Sequence, residues 1–199
     1  MNQTNTPLII ISAPSGVGKT TIVHGALLAM PTLHKVITCT TRDPRPEEKD
    51  GKDYYFLSKE EFEKGIKGNL FLEWAHIYED SYGTRKQDVN TIIERGLTPL
   101  LILDTQGAQS VRDSGMPCVT IFIQPESIEQ IHHHLERDIQ EHKRNADMND
   151  ISERLALAQK ELSKAPQYDY RITNKEGDIE GSIAQLKALL DKIIEKSYK

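Results

Sequence analysis

The chain has 199 residues, with 25 basic against 30 acidic side chains and a formal net charge of −5. That length builds one well-buried core with room for a small inserted lobe, and the acidic balance argues against a nucleic-acid partner, which calls for a basic stripe. No apolar stretch approaches bilayer-spanning length and no cationic leader with a long apolar region opens the chain, so the expectation is a cytoplasmic protein without membrane contact.

The first element is the apolar run 8–11, read as a buried strand. It leads into Ser12-Ala13-Pro14-Ser15-Gly16-Val17-Gly18-Lys19-Thr20-Thr21. A strand, a glycine-rich turn and a helix opening on Lys and Thr make a phosphate cradle: backbone N–H groups and the positive helix end converge on an anion, Lys19 reaches the outer phosphates, and Thr20 is placed to ligate Mg²⁺. Ala13 stands where a first glycine is expected, while Gly16, Gly18, Lys19 and Thr20 keep their spacing. The plainer alternative is an ordinary strand–turn–helix junction. The helix runs on through 21–30, and 35–40 reads as a second strand. Next come Thr41-Arg42-Asp43-Pro44-Arg45-Pro46, where two prolines force an extended loop.

Residues 54–57 resume as strand, and Ser58 with Glu61 has the spacing of a capping box for a helix through 67. A strand is expected over 71–78, a turn over 80–84, and a helix through 91–95 that stops at Gly96. The run 99–104 is a buried strand ending in the Asp104 carboxylate, and 118–123 is another. A helix is expected over 127–139, a polar loop over 140–150, and a helix over 151–163 with Ile151, Leu155, Ala158 and Leu162 on one face. A last strand at 168–173 and an amphipathic helix at 183–194 close the chain. Short strands alternating with helices imply an α/β fold, a central parallel sheet flanked by helices. The short, Arg/Tyr/Glu/Thr-crowded elements of 35–88 read as an acceptor-binding lobe inserted into a core of 1–34 and 89–199. Cys39 and Cys118 lie in apolar runs and read as small core residues.

Several ordered segments carry a resemblance to guanylate kinases over residues 8–174: the loop of 12–20, Thr40-Thr41-Arg42-x-Pro44-Arg45-Pro46, Gly51-Lys52-Asp53-Tyr54, Phe71-Leu72-Glu73-Trp74-Ala75, Tyr82-Gly83-Thr84, Asp104-x-Gln106-Gly107 and Asn174. The resemblance implies a P-loop nucleoside monophosphate kinase fold with a GMP-binding lobe and a lid at about 137–150. The implied reaction is ATP + GMP ⇌ ADP + GDP, with dGMP also accepted and Mg²⁺ bound with ATP. It assigns ATP binding to Ala13, Pro14, Ser15, Gly16, Val17, Gly18, Lys19, Thr20, Thr21 and Asn174. GMP binding falls to Thr38, Arg42, Arg45, Tyr54, Glu73, Tyr82, Gly83, Thr84, Asp104 and Gly107. Catalysis falls to Lys19, Arg42, Arg137 and Arg154, and metal ligation to Thr20.

Residue chemistry fits these assignments independently. Guanidinium forks and phenols at Arg42, Arg45, Tyr54 and Tyr82 suit a dianionic phosphate, although solvated surface and strand packing are the bland alternatives. Glu73, a carboxylate in an apolar run, can accept both guanine N1–H and N2–H, whereas adenine sets a bare N1 acceptor against it. Such a site rejects the wrong purine by several kcal/mol. By resemblance, the Thr38 hydroxyl reads the other edge of the base.

The chain departs from the family pattern in its lid. His134 falls where an arginine is expected, and the usual glycine is missing. Arg154 matches a family arginine, Arg137 matches by a shifted alignment, and Arg144 is a further candidate. Ile102 replaces a second carboxylate, and Glu47 replaces a loop glycine. Consecutive helical residues diverge, so His132, His133 and His134 read as a solvated helix face rather than a metal site. Two competing readings are a kinase of this architecture with another phosphorylated acceptor, and a non-catalytic interaction module.

Overall fold

The computed structural model describes residues 7–14, 16–77, 79–142 and 148–197. In chain order, β1 (Leu8–Ser12) precedes α1 (Lys19–Ala29), β2 (Leu33–Lys35), β3 (Cys39–Thr40) and β4 (Tyr55–Phe56). Then follow α2 (Lys59–Lys67), β5 (Phe71–Ile77), β6 (Asp80–Arg85), α3 (Lys86–Glu94) and β7 (Thr98–Ile102). The rest comprises α4 (Thr105–Asp113), β8 (Cys118–Pro125), α5 (Ile128–His142), α6 (Met148–Leu162), β9 (Tyr170–Asn174) and α7 (Ile179–Ser197).

Five strands form the central sheet in the order β2-β7-β1-β8-β9. The β2–β7 and β8–β9 pairs run parallel, as connections through helices require. Every residue of β1 is buried, which is why its sequence is unbroken by polar alternation. This is the α/β architecture expected from the pattern.

The chain divides into two compact units, Met1–Ile9 with Thr32–Cys118, and Ile10–Pro31 with Val119–Lys199. The first contains a four-stranded sheet, β4-β3-β6-β5, with β5 and β6 antiparallel. Its small core stacks Phe62 on Phe71, ring centroids 4.5 Å apart, over buried Cys39. Burial pushes the Cys39 thiol up to about 11, so it packs as an inert apolar group. In the second unit, α7 lies along α1 and β9, and α5 meets α6 through Ile131, Leu135 and Ala158.

Some local expectations need correction. The run 35–40 is two strands: β2 pairs with β7, and β3 belongs to the four-stranded sheet. Residues 80–84 are not a turn but most of β6, whose Tyr82 and Thr84 pair with Ala75 and Glu73 of β5. The helix α5 carries on to His142 and α6 begins at Met148, so much of the expected loop 140–150 is helical; residues 143–147, with Arg144, lie outside the described residues. The strand expected over 71–78 holds through Ile77, and Tyr78 lies outside them too. The capping box forms as expected: Ser58 Oγ accepts from Glu61 N at 3.2 Å and Glu61 Oε2 accepts from Ser58 N at 2.8 Å. No helix among the described residues is long and apolar enough to cross a membrane.

Candidate active site

The loop expected to bind the donor nucleotide lies in the second unit. After β1 the backbone turns through Gly16 at φ +81° and Gly18 at φ +83°, the left-handed region that only glycine enters cheaply. Gly18 is the N-cap of α1 and supplies no side-chain acceptor, nor does an acidic residue stand in the first turn. The helix therefore offers its N-terminal N–H groups and dipole to an anion. Lys19 is half-buried and Thr20 exposed at the first two helical positions; Ser15 lies outside the described residues.

Two side chains brace this loop. Asn174, at the end of β9 and 4% exposed, donates Nδ2–H to Val17 O at 2.8 Å and accepts Ser182 Oγ–H at 2.7 Å. His134 on α5 bonds Gly16 O through Nδ1 at 2.6 Å. Beside the loop opens a cleft of about 680 Å³, bordered by Gly16, Gly18, Thr21, His134, Arg137, Arg154 and Asn174. The structure thus brings Arg137 and Arg154, on different helices, to one cleft. Lys175, Glu176, Gly177 and Ile179 also line it and were missed in the sequence. The signal that could have found them is the Gly177 turn, φ +75°, between the last strand and last helix. Among the described residues no cluster of three or more His, Cys, Asp or Glu could hold a metal ion.

The residues expected to recognise the acceptor base lie in the first unit. Glu73 and Thr84 sit opposite one another across β5 and β6, and Thr84 Oγ1–H donates to Glu73 Oε1 at 2.5 Å. Glu73 is 5% exposed and Thr84 fully buried. Burial raises the Glu73 carboxyl to about 7 and the nearby Asp104 charge adds to the rise, while the bonds from Thr84 oppose it. Asp104 is the N-cap of α4, its Oδ1 accepting Gln106 N at 2.9 Å and Gly107 N at 2.7 Å. A Cβ on Gly107 would stand 3.1 Å from Glu73 Oε2, so the bare backbone there leaves the carboxylate its space. Gly83 is closely packed as well, since a Cβ there would meet Phe62, Phe71 and Trp74 at 3.1 Å.

The Pro-rich loop carries two of the four residues expected to hold a phosphate, Arg42 and Arg45. The Arg42 guanidinium lies 5.7 Å over the Tyr54 ring. The Tyr54 and Tyr82 rings meet edge-on at 6.2 Å, and burial pushes the Tyr54 phenol up, keeping it a donor. Glu48, which sequence reasoning missed, places both carboxylate oxygens 2.8 Å from Arg42 Nη2 and accepts Arg45 N–H at 2.9 Å. Burial alone would raise Glu48, but the Arg45 N–H and Arg42 hold it below the usual carboxylate range. A carboxylate with two oxygens thus already sits on Arg42 Nη2, while Nη1 donates to Asp43 O at 2.6 Å. Arg45 itself is exposed, and Thr38 is half-buried just before β3, its carbonyl accepting Tyr55 N–H at 2.9 Å.

A glycine-rich loop opening α1 off a central parallel sheet, together with an added small sheet, is the architecture of a P-loop nucleoside monophosphate kinase fold. The comparisons narrow this class. The family model described as guanylate kinase matches residues 5–193. A guanylate kinase of Rickettsia bellii is 40% identical over 184 residues, 92% of each chain, and one of Nitrosospira multiformis is 40% identical over 190 residues, 94% of this chain and 87% of that one. The crystal structure of guanylate kinase from Anaplasma phagocytophilum superposes with a TM-score of 0.71 at 29% identity, covering 94% of this chain and 86% of that one. The chain belongs to the guanylate kinase family.

Proposed function

We propose that this chain transfers the γ-phosphoryl group of ATP to GMP, and to dGMP, giving ADP and the nucleoside diphosphate, in the cytoplasm. Family membership supports the reaction, and the buried Glu73–Thr84 pair supports guanine as the acceptor base. Glu73, with one oxygen already bonded to Thr84, would accept the guanine N1–H and N2–H edge while Thr38 reads the opposite edge. Arg42, Arg45, Tyr54 and Tyr82 would hold the acceptor phosphate, with Glu48 giving up Arg42 as the phosphate arrives. We assign this acceptor site to an inserted lobe of 35–88, with Gly83, Thr84, Asp104 and Gly107 shaping it.

Phosphoryl transfer asks the protein for in-line positioning and charge shielding more than for covalent chemistry. The attacking phosphate oxygen is already ionised, so no general base is needed. The loop amides of 13–21 and Lys19 would stabilise charge on the donor phosphates, with Arg137 and Arg154 closing from the lid side of the cleft to exclude water. Thr20 is the residue that would hold Mg²⁺. A nucleotide-borne Mg²⁺ takes most of its ligands from phosphates and water, so one exposed hydroxyl beside the loop, without a carboxylate cage, fits its demand. Bound there, the ion would supply charge neutralisation for the donor phosphates.

The test is a coupled ADP-release assay with ATP across GMP, AMP, CMP and UMP, with Lys19→Ala as control. GMP turnover well above the other three is expected, and Lys19→Ala should lower kcat by about 10²-fold or more, the scale of losing one transition-state charge contact. Equal or better turnover of another acceptor defeats the guanine assignment, and no turnover of any acceptor favours an interaction module.

A further inference from the structure

We propose that His134 is a positioning residue for the donor phosphates: by pinning the Gly16 carbonyl it sets the direction of the Val17 N–H that the phosphates meet. This inference rests on the ATP-donor reading above. The contact is Nδ1 to Gly16 O at 2.6 Å. A carbonyl only accepts, so Nδ1 carries the hydrogen in the neutral and the charged ring alike. In a trans peptide the C=O and the following N–H point in opposite directions. Fixing the Gly16 carbonyl on the α5 side therefore turns the Val17 N–H away from α5. Asn174 does the same for the next peptide, holding Val17 O at 2.8 Å and so orienting the Gly18 N–H. Two successive amides of the loop are thus aimed by two side chains from different elements.

The loop needs such pins. Gly16 and Gly18 both lie at positive φ, and glycine peptides flip more readily than any others. An amide that must be re-aimed when the nucleotide arrives costs binding energy that a fixed amide does not. The same helix also packs against the loop: a Cβ on Gly16 would lie 3.4 Å from Leu135 and 3.6 Å from Ile131. Arg137 stands three residues beyond His134 on α5, within one turn, and lines the same cleft. One helix therefore sets the loop and carries a lid arginine. The histidine cluster, read in the sequence as a solvated face, holds one member with a defined task.

Three variants separate this role from general packing. In His134→Asn the amide nitrogen falls near the position of Nδ1, whereas in His134→Gln it falls near that of Nε2. ATP binding is titrated calorimetrically without acceptor, and KM for ATP and for GMP are then measured with thermal unfolding as the fold control. His134→Ala and His134→Gln should weaken ATP binding and raise KM for ATP by about 10-fold, the worth of one hydrogen bond, with KM for GMP and the unfolding midpoint little changed. His134→Asn should return both ATP readouts to within about 3-fold of the unmodified protein. ATP binding by His134→Ala as tight as the unmodified protein's, or no recovery in His134→Asn, overturns the proposal. Because the titration needs no acceptor, it decides the matter even if GMP proves the wrong substrate. Failure of the unmodified protein itself to bind ATP would overturn the donor reading along with this one.

Discussion

Replacing Glu73 by Gln separates what this carboxylate costs the fold from what it gives the site. The side chain is 5% exposed and its carboxyl is raised from an ordinary 4.5 to about 7, chiefly by burial and secondarily by Asp104. A carboxyl with a folded pKa above its unfolded one holds its proton more tightly when folded, so its contribution to stability is full below the unfolded value and is lost as pH rises through about 7. From 4.5 to about 7, at about 1.36 kcal/mol per pH unit, the loss is roughly 3 kcal/mol at pH 8. Glutamine has no proton to lose and keeps the bond from Thr84. The variant should therefore be more stable than the unmodified protein at pH 8, by up to roughly 3 kcal/mol, and by less than about 1 kcal/mol at pH 5.

Activity should move the other way. The amide presents an N–H₂ to a guanine edge that itself donates, so KM for GMP should rise by about 100-fold or more while KM for ATP holds. In the unmodified protein KM for GMP should fall as pH rises through about 7, since the ionised carboxylate is the form that accepts both guanine hydrogens. Urea unfolding at pH 5 and 8, beside steady-state kinetics at each, reads both effects. Identical pH–stability curves for the two proteins, or a variant with unchanged KM for GMP, would refute the reasoning.

The acceptor loop and the α4 cap give two further expectations. Arg42→Lys keeps the charge but loses the planar guanidinium whose Nη2 now holds both Glu48 oxygens, so KM for GMP should rise by roughly 10-fold with KM for ATP unchanged, in the same coupled assay. Gly107→Ala should push Glu73 Oε2, 3.1 Å from the new Cβ, by a few tenths of an ångström and raise KM for GMP several-fold. Alanine gains about 1 kcal/mol over glycine within a helix, so the unfolding midpoint of that variant should hold or rise.

The sequence disclosed the donor loop because its requirements are local: glycines at positive φ, a lysine and a hydroxyl at a helix start leave a fixed spacing. Ser58 and Glu61 were legible for the same reason, as one turn of helix satisfies itself. The strand β6 was not, because Tyr82 and Thr84 place polar groups at the site where a strand would ordinarily alternate apolar and polar. The helix α4 left little trace, since its buried face rests on Thr105, Gly107, Ala108 and Val111, and its cap is the Asp104 that also ends the β7 run. The run 35–40 held the right residue types but serves two sheets, a division set by long-range partners. Glu48 went unnoticed and His134 read as part of a solvated face because their partners, Arg42 and the Gly16 carbonyl, are chosen by tertiary structure.

A crystal structure with GMP bound tests most directly whether a buried carboxylate selects the base. The account predicts guanine N1 and N2 within about 3 Å of the Glu73 oxygens, and the phosphate on the Arg42 fork in place of Glu48. A base lodged away from β5 and β6, or a phosphate that leaves the Arg42–Glu48 pair intact, would contradict it.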